Sequence, residues 1–427
     1  MRIAYLVAGA GGMYCGSCMR DNRIAATLIA KGRDVVLIPL YTPIRTDEVD
    51  VSEDRVYFGG INVYLQQKWA LFRLLPGWFR RVLDAPPLLR RAMRLAGDTK
   101  PRDLGAMTVS VLKGENGAQS EELTRLIHGL REIKPDLVNL PNLMFVGLAR
   151  EIKAAFGVPV FCTLSGEDIF IDNLPQPYQR EAFDLIRVRC PDVDGFVAVT
   201  NYYARHAAKH FDLPKERIHA VRMGILVDDV GRPAHPPAEP FTIGYLARIC
   251  PEKGLANLCD AFAQLRRAGR NCRLRAAGYL GPADRSYLYR IHASLREQGI
   301  GDAFEYVGEV DRAGKLEFLR SLHVLSVPTV YHEAKGFYVL EAMACGVPAV
   351  QPRHGSFTEI VDATGGGLLY EPTKKNALAD AIARLMDDPK LRERLAHQGR
   401  SAVHESFNHE VMADQTWSLW RQCFSNP

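Results

Sequence analysis

Residues 324–350 read VLSVPTVYHEAKGFYVLEAMACGVPAV. The run VLSVP at 324–328 is apolar and short, as a buried strand is. A polar loop follows with Glu333 and Lys335, and Gly336 lets the backbone bend closely toward a ligand. Phe337, Leu340, Met343 and Ala344 then supply an apolar face at helical spacing, and Gly346-Val347-Pro348 stops the helix before the next strand. Strand, helix, strand is the repeating unit of a parallel sheet, so this stretch assigns the chain to the α/β class.

The same stretch carries chemistry. Glu333 and Glu341 stand with seven residues between them, one before the helix and one within it. A helix N-terminus offers unpaired N–H groups and the positive end of its dipole, so Gly336 and Phe337 suit a phosphate. Glu341 is then placed to accept hydrogen bonds from ribose hydroxyls, and Glu333 to face a sugar beyond the phosphates. A nucleotide-activated sugar fits all three features. Taken alone, the segment also fits two solvated surface glutamates, the ordinary fate of that residue.

Outward from this stretch, strand-like and helical runs alternate along the chain: RIAYLVA, IAATLIAKG, DVVLIPL. The pattern covers 1–223, pauses at 224–240, where four prolines lie between Pro233 and Pro240, and resumes at 241 with FTIGYLA. The expected architecture is two doubly wound, Rossmann-like domains, 1–223 and 241–405, facing each other across a cleft, with 224–240 as linker. At 427 residues and 47% hydrophobic content the chain has enough material for two sizeable cores. A net charge of +5 does not call for nucleic acid as a principal partner. Nine cysteines, an odd number scattered through apolar runs, imply reduced thiols and a cytoplasmic protein rather than a disulfide framework. No run approaches the ~20 apolar residues of a membrane span, and the start of the chain is too short an apolar run for a signal peptide.

In open parallel sheets ligands bind at loops after strands. After FTIGYLA comes RICPEKG, whose Arg248 and Lys253 are suited to neutralise a diphosphate without a metal; an ordinary basic surface loop is the alternative. After the first strand comes AGAGGMYCGSCMRDN, with Gly9, Gly11, Gly12 and Gly16 off the dinucleotide spacing and no P-loop lysine, so turn-making competes with ligand approach. Within it Cys15 and Cys18 form a CxxC at a helix start, which suits a redox dithiol, half of a metal site, or two small residues in a tight loop. No second CxxC or CxxH completes a zinc site, and no metal is expected. Residues 68–96 interleave aromatic and aliphatic residues with seven cations and one acid, Asp84. This segment either lies on an anionic membrane, as a peripheral contact on its inner face, or caps the N-terminal domain with arginines covering apolar surface.

The order of these elements, glycine-rich loop, proline-rich linker, RICPEKG, EAKGFYVLEAMACGVPAV and HGSFTEIVDATGGGLLYEP, resembles the GT4-type glycosyltransferases of the GT-B fold. The family pattern EGFGxxxLEAMAxGxPVV is kept at Glu333, Gly336, Leu340, Glu341, Ala342, Met343, Ala344, Gly346 and Pro348. The resemblance is closest over 244–395. It implies retaining transfer of a hexosyl group from a nucleoside-diphosphate sugar to a glycan, lipid or small-molecule acceptor, with no cofactor beyond the donor. It assigns Arg248 and Lys253 to the departing diphosphate, Gly336 and Phe337 to the phosphate, and Glu341 to the ribose. Glu333 meets the transferred sugar and its developing positive charge, and Gly16, with Gly12 as second choice, is the phosphate-approach glycine. It also implies that the last segment, 406–427, returns as a helix to the first domain.

Asp192-Val193-Asp194 looks like the metal-binding DxD of another transferase class but precedes GFVAVT, so it reads as the start of a strand. The chain departs from the family where relatives carry histidine: Thr163–Asp168 reads TLSGED, Asn139 and Pro141 replace others, and Ala334-Lys335 stands for Gly-Phe. Those departures and the CxxC keep open a non-catalytic or redox-gated sugar-nucleotide-binding protein on the same fold. An epimerase or a phosphorylase is a further alternative.

Overall fold

The computed structural model describes residues 1–9, 14–58, 101–236 and 239–425; Gly12 and the 68–96 segment lie outside them. The chain forms two units. One comprises Met1–Arg222 with Met412–Pro427, the other Met223–Val411.

Among the described residues the first unit has six strands: β1 (Arg2–Val7), β2 (Asp34–Pro39), β3 (Leu137–Leu140), β4 (Val160–Leu164), β5 (Gly195–Ala198) and β6 (Ile218–Ala220). They pair in parallel in the order β2-β1-β3-β4-β5-β6. Strands buried on both faces read as continuous apolar runs, and Ile3, Ala4, Leu6 and Val7 are wholly buried accordingly. The second unit repeats the plan with β7 (Phe241–Leu246), β8 (Cys272–Ala277), β9 (Phe304–Gly308), β10 (Val324–Leu325), β11 (Ala349–Pro352) and β12 (Gly367–Tyr370). Its order is β12-β11-β10-β7-β8-β9, again parallel. The strand order therefore reverses at β7, which has β10 on one side and β8 on the other, and in open parallel sheets ligands bind at the carboxyl ends of the strands at such a reversal.

Six helices matter below: α1 (Gly16–Ala30), α2 (Asp168–Asp172), α3 (Asn201–His210), α4 (Arg312–Arg320), α5 (Phe337–Ala344) and α6 (His409–Ser425). The tail of α6 belongs to the first unit. Trp420 is fully buried there, its ring 5.6 Å from Tyr5 of β1, while Arg33 lies over Trp417 and Lys31 meets Asp414 at 2.8 Å.

The proline-rich stretch is fastened to the second unit. Arg312 of α4 donates to Leu226 O at 2.9 Å and pairs with Asp229, Arg320 donates to Val230 O, and Arg400 donates to Gly231 O at 2.7 Å. Charged donors thus satisfy the carbonyls of Leu226, Val230 and Gly231 just ahead of the prolines.

Candidate functional site

The residues singled out from sequence in the second unit gather at the β7/β10 reversal. After β7 the backbone runs through Arg248 to a turn at Pro251–Lys253 and then Gly254, which is left-handed with φ +76. A Cβ there would sit 1.9 Å from Pro328 O, so only glycine lets this loop lie against the one following β10. The backbone N–H of Val330 donates to Glu252 O at 3.0 Å and laces the two loops together.

That lacing brings Lys253 to Glu333. Lys253 Nζ lies 2.5 Å from Glu333 Oε2, with both side chains largely buried. The Tyr331 and Tyr338 hydroxyls donate to the same oxygen at 3.0 and 3.1 Å. Their rings also flank the ammonium, at 5.0 and 5.4 Å from centroid to Nζ. Burial by itself pushes the Glu333 carboxyl upward, but Lys253, Lys335 and the Tyr331 hydroxyl outweigh it and hold it down at about 2. Glu333 is thus a fixed anion at any physiological pH.

Arg248 stands on the same edge, exposed, its guanidinium 3.7 Å from Cys250 Sγ. Gly336 precedes α5 with φ +87, and a Cβ there would come within 3.1 Å of Ile360 and 3.3 Å of Phe357. Phe337 opens α5, so the helix N-terminus follows directly on the loop that carries Glu333. Glu341, one turn further, is buried and paired with Lys315 of α4 at 2.6 Å. Glu341 is thus not a solvated glutamate: its carboxylate is compensated by a buried lysine.

Lys315, Tyr331 and Tyr338 were not singled out from sequence. Lys315 sits among Leu316, Phe318 and Leu319, buried like them, and a lysine on an apolar helix face is the signal that marks a buried partner.

In the first unit Gly16 is the exposed first residue of α1, with Cys15 as its N-cap. The Cys18 thiol is pushed up, first by its hydrogen bond with Cys15 and then by burial, which is the opposite of the thiolate expected at a helix start. Asp192 and Asp194 both precede β5 and are tied by Arg150 at 3.0 Å and Lys153 at 2.8 Å, as structural anchors. Among the described residues no group of three His, Cys, Asp or Glu is arranged to hold a metal ion, and no helix is long and apolar enough to cross a membrane.

The loop after β4, which lacks a histidine in sequence, receives one from α3. His206 Nε2 lies 3.0 Å from Asp168 Oδ2, and the Tyr203 hydroxyl donates to Asp168 at 2.8 Å and to Glu167 at 3.2 Å. One turn on, His210 meets Asp172 at 2.9 Å, so α2 and α3 are joined by two successive Asp–His pairs. Only the fold reveals this, because the partners are 38 residues apart. The Asp168 hydrogen bond raises His206 above its ordinary value, so its contribution is full below pH ~6.5 and is lost as pH rises through the higher folded value. The melting-temperature gap between wild type and His206→Gln should therefore shrink between pH 6 and 9 in a thermal denaturation series. A constant gap would exclude an electrostatic contribution from this pair.

A family model described as Glycosyl transferases group 1 matches residues 231–402, and one described as Glycosyltransferase Family 4 matches 112–229. Two parallel Rossmann-like sheets of this kind define the GT-B fold. The chain belongs to the GT4-type glycosyltransferase family of that fold. It is 28% identical over 227 residues to an alpha-D-kanosaminyltransferase of Streptomyces kanamyceticus, covering 49% of this chain and 55% of that one. It is 32% identical over 187 residues to a D-inositol 3-phosphate glycosyltransferase of Kribbella flavida, covering 42% and 43%. The chain thus spans about half the length of the relatives it matches. Among solved structures, sucrose-phosphate synthase from Thermosynechococcus elongatus aligns over 100% of both chains at TM-score 0.72 and 18% identity. Anabaena HepE in complex with UDP aligns over 99% of this chain and 100% of that one at TM-score 0.67 and 15% identity. Likeness at those identities speaks for the fold.

Proposed function

We propose that this protein transfers a hexosyl group from a nucleoside-diphosphate sugar to an acceptor hydroxyl, with retention of anomeric configuration and without a metal ion. The observation that carries the reading is the clustering of Arg248, Lys253, Glu333 and the α5 N-terminus on the loops of one strand-order reversal. The solved neighbour HepE holds UDP, which supports a nucleoside diphosphate as the departing group.

The reaction is limited by departure of a charged leaving group. Arg248, exposed on the edge, and the N–H groups at Gly336 and Phe337 receive the diphosphate, joined by the remaining ammonium protons of Lys253. Glu341, oriented by Lys315, accepts the ribose hydroxyls. Glu333, ionised and fixed, faces the sugar and stabilises the positive charge that grows at its anomeric carbon. The acceptor is a glycan, lipid or small molecule that brings its own hydroxyl. The alternative of a redox-gated binding protein draws no support from the raised Cys18 thiol.

Thermal shift with UDP, GDP and ADP, followed by nucleoside diphosphate release from their sugar esters, tests this. A rise in melting temperature with one base, about 2.7 kcal/mol of stabilisation at a hundredfold excess over Kd, is the expected outcome. Absence of both stabilisation and release across all three would overturn the assignment.

A further inference from the structure

We infer that Tyr331 and Tyr338 are positioning residues that clamp one oxygen of Glu333 and so commit the other, Oε1, to the donor sugar; this rests on the proposed transfer reaction. The two oxygens differ sharply. Oε2 takes Lys253 Nζ at 2.5 Å and the hydroxyls of Tyr331 and Tyr338 at 3.0 and 3.1 Å. A carboxylate oxygen has about two lone-pair directions, so Oε2 is saturated. Oε1 accepts the Lys335 backbone N–H at 3.3 Å, a long contact, and keeps acceptor capacity for a ligand hydroxyl or a growing positive charge.

The clamp has a reason beyond the ion pair. An arriving diphosphate competes for the Lys253 ammonium, and a carboxylate held by that lysine alone would swing with it. The tyrosines come from both sides of Glu333, one from the loop before it and one from the first turn of α5. Burial, followed by the charge of Glu333, pushes both phenols far above their ordinary value, so each stays protonated and donates at every working pH. They orient the carboxylate and do not exchange protons with substrate.

The test measures nucleoside diphosphate release from UDP-glucose, GDP-mannose and ADP-glucose, with water as acceptor, for wild type, Tyr331→Phe, Tyr338→Phe and the double variant. Phenylalanine keeps the rings against Lys253 and removes only the hydroxyls. Each single change should lower kcat about tenfold and the pair about a hundredfold, while donor KM and nucleoside diphosphate affinity stay within about threefold. The acid limb of the kcat profile should also move to higher pH in the double variant, because the carboxylate loses two donors. Tyr331 is half-buried, so its single variant remains informative should the double variant fold poorly. Release by a double variant within about twofold of wild type would overturn the clamp, as would a kcat loss matched by an equal loss of nucleotide affinity. No release by wild type from any donor would remove the transfer reading itself and the clamp with it.

Discussion

Arg248→Ala is expected to cut turnover by about two to three orders of magnitude while leaving the melting temperature within about 2 °C of wild type. The residue is exposed and its guanidinium donates to the Cys250 sulfur at 3.7 Å, so little folding energy leaves with it. Lys253→Ala should lose as much turnover but also stability. Its ammonium compensates a carboxylate that is 4% exposed, and removing one partner of a buried pair typically costs ~3–5 kcal/mol. Both losses are separable: Lys253→Ala with Glu333→Gln should recover much of the stability and none of the activity. Nucleoside diphosphate release together with thermal denaturation of the four proteins reads this out. Wild-type turnover in Arg248→Ala would sink the diphosphate role.

Lys315→Met should destabilise the second unit by roughly 3–5 kcal/mol, about 10 °C in melting temperature, because Glu341 is left as a buried, unpaired carboxylate. Lys315→Met with Glu341→Leu should regain most of that loss, since apolar side chains of similar size replace a desolvated pair. The nucleotide response is different. Affinity for nucleoside diphosphate should fall in every variant that lacks Glu341 or its lysine, the stable double variant included, if the carboxylate binds ribose. Full nucleotide affinity in the double variant, measured by isothermal titration, would assign the pair to stability alone.

Much of this architecture is legible in the chain itself. Alternating apolar runs and helical spacing mark a parallel α/β fold because both are periodic and local, and strands such as IAYLV have no polar face to confuse the reading. Glu333, Gly336, Glu341, Arg248 and Lys253 stand out because loops after strands and a glycine before a helix are short-range signals. Glu333, Gly336 and Glu341 lie within one loop and helix start, and Arg248 and Lys253 within RICPEKG.

Pairing is not local, and there the sequence is silent. Lys253 and Glu333 are 80 residues apart, Lys315 and Glu341 are 26, Asp168 and His206 are 38, and no spacing rule links them. Strand order decided each meeting: β10 lies beside β7, so the loops that follow them carry lysine to glutamate. The charge state of Glu333, the compensation of Glu341 and the imidazole supplied to the loop after β4 all follow from such meetings. What the sequence by itself determined is which residues have the chemistry for an activated sugar, since residue type and local period are properties of the chain. Which of them are buried, paired and held was decided only by the tertiary structure, because desolvation and Coulomb energy depend on distance through space.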